Sequence, residues 1–135
     1  MGMSPLNRSA IILYIEDNPD NRLLIRRVLQ AEGLTFQEAS NAREAWLSIR
    51  KEIPDLILMD INLPEVDGYT LTAQLKALPE LLNVPIIAMT ANVMKGDRER
   101  TLQAGCDGYI QKPVDIDTLP GQINNFLREA IRVDH

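Results

Sequence analysis

The sequence predicts an α/β fold in which helices cover both faces of a doubly wound, five-stranded parallel sheet. Three observations lead to this fold class. Five apolar stretches alternate with five amphipathic stretches along the 135 residues, the connections are short, and the apolar stretches are almost continuous, as in strands buried on both faces. Helical connections between parallel strands form right-handed crossovers, which give a doubly wound sheet. We therefore predict one domain over residues 10–132, with tails at residues 1–9 and 133–135.

The predicted strands are short apolar runs that end at polar or turn-forming residues. The run AIILYI stops at the acidic pair Glu16 and Asp17, and the run LILMD follows Pro54, which breaks the preceding helix. The five strands are expected over residues 10–15, 34–39, 55–60, 84–90 and 108–113.

The predicted helices combine apolar residues at helical spacing with start and stop signals at their ends. Asn18 is a suitable N-cap, Pro19 fits the first turn, and Gly33 fits the end of the first helix. The inner face of this helix is expected to hold Leu24, Ile25, Val28, Leu29 and Ala31, and that of the third helix Leu71, Leu75 and Leu78. The five helices are expected from residue 19 to about 33, from 41 to about 52, from 68 to about 78, over 93–104 and over 118–132.

Composition and charge argue against several functional classes. The net charge of −5 and the scattered basic residues disfavour direct binding of nucleic acid. The single cysteine, Cys106, excludes an intramolecular disulfide framework and a multi-cysteine zinc site. The single histidine, His135, is the last residue, which disfavours histidine-based catalysis. Because the sequence has no apolar run of membrane length and no signal peptide, we expect a cytoplasmic protein that does not bind membranes.

Polar residues follow four of the five predicted strands. These residues are Glu16, Asp17, Asp60, Thr90 and Lys112. The carboxyl ends of parallel strands lie at one edge of the sheet, so we expect these side chains to come together there. Crowded carboxylates raise one another's pKa, and a Mg²⁺ ion with its oxygen ligands would relieve the crowding. An aspartate oxygen in such a site can attack a phosphoryl group, while Mg²⁺ and an ammonium group offset the charge that develops.

Each of these residues also has an ordinary structural interpretation. An acidic residue at a strand end is often a solvated turn residue, Thr90 alone fits a helix N-cap, and Lys112 alone fits a surface lysine. Ordinary packing likewise accounts for Trp46, Tyr109 and Cys106. The convergence of five polar groups at one edge under a single topology favours the functional interpretation.

The motifs together resemble the response-regulator receiver domains of two-component and phosphorelay signalling. They are the acidic pair after the first strand, MDINLPEVDG at residues 59–68, the pair Thr90 and Ala91, and YIQKP at residues 109–113. The resemblance covers residues 10–131 and is closest to single-domain regulators of the DivK type and to receivers of hybrid kinases. It implies a flavodoxin-like (βα)5 fold with the strand order 2-1-3-4-5.

The resemblance also assigns a metal site and a phospho-acceptor. Asp60 would accept the phosphoryl group. Asp17 and Asp60 would bind Mg²⁺ through their side chains, Glu16 through a water molecule, and Asn62 through its backbone carbonyl.

The remaining motif residues would stabilise or respond to the phosphoryl group. Lys112 would pair with Asp60 and then with the phosphoryl group, and the Lys112–Pro113 bond would be cis. Thr90 would donate its hydroxyl to the same group, and Tyr109 would change rotamer. Asn62 and Asn92 occupy positions at which the family adjusts the phosphoryl lifetime.

The resulting hypothesis is a switch controlled by phosphorylation. A histidine kinase or a histidine phosphotransfer protein would dock near residues 18–26 and donate the phosphoryl group. The surface formed by the fourth helix, the fifth strand and the fifth helix would then change and bind a downstream protein. The resemblance also allows a phosphorylation-dependent homodimer.

Two other functional classes remain open at this point. A phosphatase with an aspartyl-phosphate intermediate usually carries a second aspartate two residues after the nucleophile, where this chain has Asn62. An interaction module with a relic site would not bind Mg²⁺, and the complete motif set argues against it.

Overall fold

The computed structural model describes residues 9–91 and 97–133, and within them five strands form one parallel sheet. The strands are β1 (Ile11–Ile15), β2 (Thr35–Ala39), β3 (Leu56–Asp60), β4 (Ile86–Thr90) and β5 (Gly108–Gln111). Their order in the sheet is β2-β1-β3-β4-β5, and all four pairings are parallel. The predicted doubly wound sheet and its flavodoxin-like strand order are confirmed.

Helices follow each strand within the described residues. They are α1 (Pro19–Ala31), α2 (Ala42–Lys51), α3 (Gly68–Lys76), α4 (Asp97–Gln103) and α5 (Leu119–Val133), with a short 3-10 helix at Pro79–Leu81. The predicted start of the fourth helix at residue 93, Asn92, and most of both predicted tails lie outside the described residues. The domain limits drawn from the sequence stay predictions.

Side-chain caps fix where three of these helices begin. The Asn18 side chain accepts hydrogen bonds from the N–H groups of Asp20 and Asn21 at 2.8 and 3.1 Å. Asn41 and Asp67 cap α2 and α3 in the same way, at 2.8 and 2.9 Å. Each cap satisfies N–H groups that have no partner inside the helix. The caps lie just past strand ends, so the helix N-termini point toward the carboxyl edge of the sheet.

The core consists of two apolar clusters, one on each face of the sheet. Alternate residues of β1 point to opposite faces, with Leu13 and Ile15 in one cluster and Ile12 and Tyr14 in the other. The first cluster packs against α2 and α3 and includes Cys106, and the second packs against α1 and α5. The five strands are therefore held rigidly between two helical layers, and their carboxyl ends are fixed relative to one another.

Some details of the predicted helix faces were wrong. Leu24 is 45% exposed and Ala31 is exposed, because Ile25 and Leu29 are the residues of α1 that face the sheet. Leu78 lies beyond the end of α3, since Pro79 forces the preceding residue into extended backbone, with φ −83° and ψ 129°. Leu78 still packs half-buried against the first cluster, as do Trp46 and Tyr109.

Across residues 9–91 and 97–133, none of the helices combines the length and apolar character needed to cross a membrane.

Candidate functional site: an acidic cluster at the carboxyl edge of the sheet

Three carboxylates converge where β1 and β3 end. Glu16 and Asp17 follow β1, and Asp60 is the last residue of β3. One oxygen from each carboxylate lies within 4.8 Å of the other two. Glu16 and Asp60 are buried, with 1% and 2% of their surface exposed, whereas Asp17 is exposed. The predicted convergence of these residues is present, with two carboxylates in the interior and one open to solvent.

Lys112 provides a positive charge beside the buried carboxylates. Its Nζ lies 3.0 Å from Asp60 Oδ1 and 3.3 Å from Glu16 Oε1. The Lys112 backbone N–H donates to the Thr90 carbonyl at 2.8 Å, which fixes the end of β5 to the end of β4. The Lys112–Pro113 peptide bond is cis, as expected from the sequence.

Thr90 and Asn62 also lie near Asp60. Thr90 ends β4 and is 3% exposed. The Asn62 N–H donates to Asp60 Oδ1 at 3.1 Å. Both residues line a cavity of about 360 Å³ whose wall also includes Tyr69 and Arg100. Asn62 is exposed at this cavity, so its side chain is accessible to solvent near Asp60.

Tyr109 lies in β5, and Pro113 follows the end of that strand. Tyr109 is half-buried against the core cluster that faces α2 and α3. Pro113 is exposed and lines a groove of about 380 Å³ between α1 and the segment after β5. Leu24 and Val114 also line this groove, which reaches the site through Asn21 and Lys112.

Burial and charge shift the pKa values of the cluster in opposite directions. Burial by itself would raise the pKa of Glu16, but hydrogen bonds from Asp60 and the Asn18 N–H, together with the Lys112 charge, hold this pKa at about 2. Burial and the neighbouring Glu16 raise the pKa of Asp60. Burial opposes the charge on Lys112, but its contacts with Asp60 and Glu16 outweigh this and raise its pKa. Glu16 therefore ionises first, and Asp60 keeps a proton to higher pH.

The donor set of the cluster fits a hard divalent cation. Mg²⁺ prefers oxygen ligands, and here three carboxylates can each offer one oxygen within 4.8 Å of the others. Three carboxylates against the Lys112 ammonium leave two negative charges when all are ionised. A divalent cation would neutralise that excess and lower the raised pKa of Asp60.

Two side chains that the sequence pattern did not identify hold Glu16. Tyr14 Oη and Asn21 Nδ2 donate to Glu16 Oε1 at 3.0 and 3.2 Å. The Asn18 N–H donates to Glu16 Oε2 at 3.3 Å. Tyr14 lies two residues before Glu16 on the same strand face, and this period-2 spacing is a signal that could have identified it.

Arg22 is a third residue whose contact was missed. Its Nη1 donates to the Glu16 carbonyl oxygen at 2.7 Å, and its Nε pairs with Glu38 at 3.0 Å. The sequence pattern assigned no partner to Arg22. No local signal identifies the pairing with Glu38, because it depends on the pairing of β1 with β2.

Comparisons with known proteins agree on one family. The profile of the response regulator receiver domain matches residues 12–124. The polar-differentiation response regulator DivK of Brucella anthropi is 43% identical over 119 residues, which cover 88% of this chain and 97% of that protein.

Two solved structures extend the comparison. The receiver domain of a sensor histidine kinase from Pseudomonas aeruginosa, with a magnesium ion coordinated in its active-site cleft, is 37% identical with a TM-score of 0.80, covering 89% of this chain and 98% of that one. The chemotaxis response regulator CheY4 of Vibrio cholerae has a TM-score of 0.84 at 23% identity, covering 88% and 99%, and so supports the fold alone. The chain belongs to the response regulator receiver domain family, whose members act in phosphorylation-activated two-component signalling.

Proposed function

We propose that this receiver accepts a phosphoryl group on the carboxylate of Asp60. The observation that carries the proposal is a buried aspartate at the end of β3, paired with Lys112 at 3.0 Å inside an acidic cluster. The donor is a phosphohistidine of a histidine kinase or of a phosphotransfer protein. An Asp60 oxygen forms a bond to phosphorus while the phosphorus–nitrogen bond breaks, and the imidazole leaves with the electron pair of that bond.

The cation in this proposal is Mg²⁺. The side chains of Asp17 and Asp60 and the backbone carbonyl of Asn62 would hold it, and Glu16 would bind it through a water molecule. The bound ion would offset the negative charge of the phosphoryl oxygens. The magnesium ion in the similar Pseudomonas receiver supports this assignment.

The chain's own residues then orient and read the phosphoryl group. Lys112 exchanges its contact with Asp60 for one with a phosphoryl oxygen, and its charge stabilises the transition state. Thr90 donates its hydroxyl to a second oxygen, which draws the end of β4 toward the site. Tyr109 then moves from its half-buried position further inward, and the surface of α4, β5 and α5 changes for a downstream protein.

The proposed docking surface for the phosphodonor is the start of α1. Leu24 is 45% exposed there and shares the groove with Pro113 and Val114. An apolar patch directly beside an acidic site suits a partner that must bring a phosphohistidine to Asp60. Homodimerisation on phosphorylation and a cytoplasmic location stay predictions.

Intact-mass spectrometry after incubation with acetyl phosphate tests the proposed function. We expect one phosphoryl adduct in the presence of Mg²⁺ and none after chelation. Absence of an adduct, together with absence of Mg²⁺ binding by calorimetry, would contradict the proposal and favour a relic site. Sustained turnover of a phosphate ester would instead favour the phosphatase alternative.

Replacing Lys112 with Met separates its role from that of the cation. We expect the rate of phosphorylation by acetyl phosphate to fall about 100-fold, because one preorganised charge beside the transferred group is lost. Mg²⁺ affinity should not weaken, since the cluster becomes more negative. Lys76→Met is the matched control: Lys76 pairs with Asp107 at 2.9 Å beside the amino end of β5, and its loss removes the same charge away from the site. Equal rates in the two variants would contradict the role of Lys112.

A further inference from the structure

Arg22 connects the acidic cluster to the edge strand of the sheet. Its Nη1 donates to the carbonyl oxygen of Glu16 at 2.7 Å. That carbonyl belongs to the peptide unit that joins Glu16 to Asp17. The Nε of the same guanidinium contacts Glu38 on β2 at 3.0 Å. A planar guanidinium can make both contacts at once, and they fix its orientation.

The peptide unit that Arg22 binds has few other constraints. On the amino side, the Glu16 N–H donates to the Ala39 carbonyl at 2.9 Å and continues the β1–β2 ladder. On the carboxyl side the strand has ended, and Asp17 is exposed. In the part of the chain that the structure describes, Arg22 supplies the hydrogen bond that orients the carbonyl between the two acids.

We propose that Arg22 is a positioning residue for the cation site. It fixes the Glu16–Asp17 peptide so that the exposed Asp17 carboxylate faces Asp60. The proposal rests on the proposed function, because it concerns the same Mg²⁺ site. Residues that orient metal ligands without touching the metal typically change metal affinity 10- to 100-fold when they are replaced.

Arg26 offers a matched comparison. It also pairs with Glu38, and its guanidinium lies 5.9 Å from the centre of the Phe36 ring. Its side chain is 36% exposed, against 18% for Arg22. Arg26 therefore shares the ion pair with β2, and the contact with the Glu16 carbonyl is specific to Arg22.

Charge alone and positioning predict opposite changes in affinity. Replacing either arginine with Gln removes one positive charge near the acidic cluster. A purely electrostatic effect would make both variants bind Mg²⁺ equally or more tightly than the wild type. If Arg22 positions the ligand peptide, Arg22→Gln must instead bind Mg²⁺ more weakly, while Arg26→Gln must not.

Titration calorimetry with Mg²⁺ on the full chain tests whether Arg22 positions the Glu16–Asp17 peptide. We expect the Kd of Arg22→Gln to rise about 10-fold and that of Arg26→Gln to stay equal to or below the wild-type value. For Arg22→Gln, the rate of phosphorylation by acetyl phosphate should be near the wild-type value when Mg²⁺ is saturating. A small phosphodonor excludes lost docking on α1 as the cause. Equal Kd values in the two variants would overturn the proposal.

A second pair of variants covers the case in which Arg22→Gln does not fold. Arg22→Lys keeps the charge but lacks the fork that reaches both Glu16 and Glu38, so its Kd should still exceed that of Arg26→Lys. Equal values would overturn the proposal. If the wild type itself does not bind Mg²⁺, the proposed function fails together with this inference. If the wild type binds Mg²⁺ but the Arg22 and Arg26 variants have equal Kd values, only the inference about Arg22 fails.

Discussion

Asp60→Asn is expected to abolish phosphorylation of the protein while leaving its fold intact. The carboxylate oxygen is the proposed nucleophile, and an amide oxygen cannot replace it. The fold should survive because Asn has nearly the same shape and its carbonyl oxygen can still accept from Asn62 and Lys112, which now contact Asp60 Oδ1 at 3.1 and 3.0 Å. Intact-mass spectrometry with acetyl phosphate and Mg²⁺ should detect no adduct in this variant.

Asp17→Asn is the control for a general effect of losing an acid from the cluster. Asp17 is exposed and would contribute to binding the cation without being phosphorylated. The variant should therefore form the adduct more slowly and recover as the Mg²⁺ concentration rises. An adduct in Asp60→Asn would move the acceptor to another residue and contradict the proposed mechanism.

Asp60→Asn also has a defined effect on the stability of the metal-free protein. Burial and the neighbouring Glu16 raise the pKa of Asp60 above its ordinary value of 3.8. The folded state therefore binds more protons than the unfolded state as pH rises from 3.8 toward the raised pKa, so the Asp60 contribution to stability decreases over that interval. Asn cannot ionise, and denaturation with chelator present should show the variant at least as stable as the wild type at neutral pH.

The positions of the main site residues follow from the strand ends and from the strand order that the family resemblance implies. In a parallel sheet the carboxyl ends share one edge, and the order 2-1-3-4-5 places the end of β3 beside that of β1 and the end of β5 beside that of β4. These rules bring Asp60 to Glu16 and bring Lys112 to Thr90. The sequence could therefore predict which residues meet at the edge before any side-chain contact was known.

The residues that support the site could not be predicted in the same way. Arg22 pairs with Glu38 only because β1 and β2 pair in a register that places Ile15 beside Ala39 and Tyr14 beside Glu38. One sequence does not encode that register locally, since it depends on how both strands pack against the helices. The error at Leu24 has a related cause, because helical spacing predicts an apolar stripe but not where the sheet stops covering it.

Gly68→Ala is expected to destabilise the protein by about 3 kcal/mol or more, because the residue has no room for a side chain. Gly68 begins α3, and its N–H donates to the Ile61 carbonyl at 2.9 Å. A Cβ at this position would lie 2.6 Å from the Asp60 carbonyl oxygen and 2.7 Å from Ile61 Cα. Both are backbone atoms, so no change of rotamer can relieve the contact.

The strain caused by Gly68→Ala would act directly on Asp60, the proposed acceptor. Moving α3 away from Asp60 and Ile61 breaks the hydrogen bond at Gly68, and moving the segment that follows β3 displaces Asn62, whose N–H holds Asp60 Oδ1. We therefore expect slower phosphorylation in addition to lower stability. Urea denaturation and the acetyl phosphate assay measure the two effects separately.

Gly121→Ala provides the matched control for the change from glycine to alanine. Gly121 lies in α5, and apart from its chain neighbours and the adjacent backbone of its own helix, no atom lies within 4 Å of the position of a new Cβ. Alanine there should stabilise the protein by about 0.5–1 kcal/mol, since it lowers the entropy of the unfolded chain and favours the helix. The two substitutions should thus change stability in opposite directions. If Gly68→Ala unfolds at the wild-type urea concentration, α3 can shift without cost, and its close packing against Asp60 would not be what fixes the acceptor.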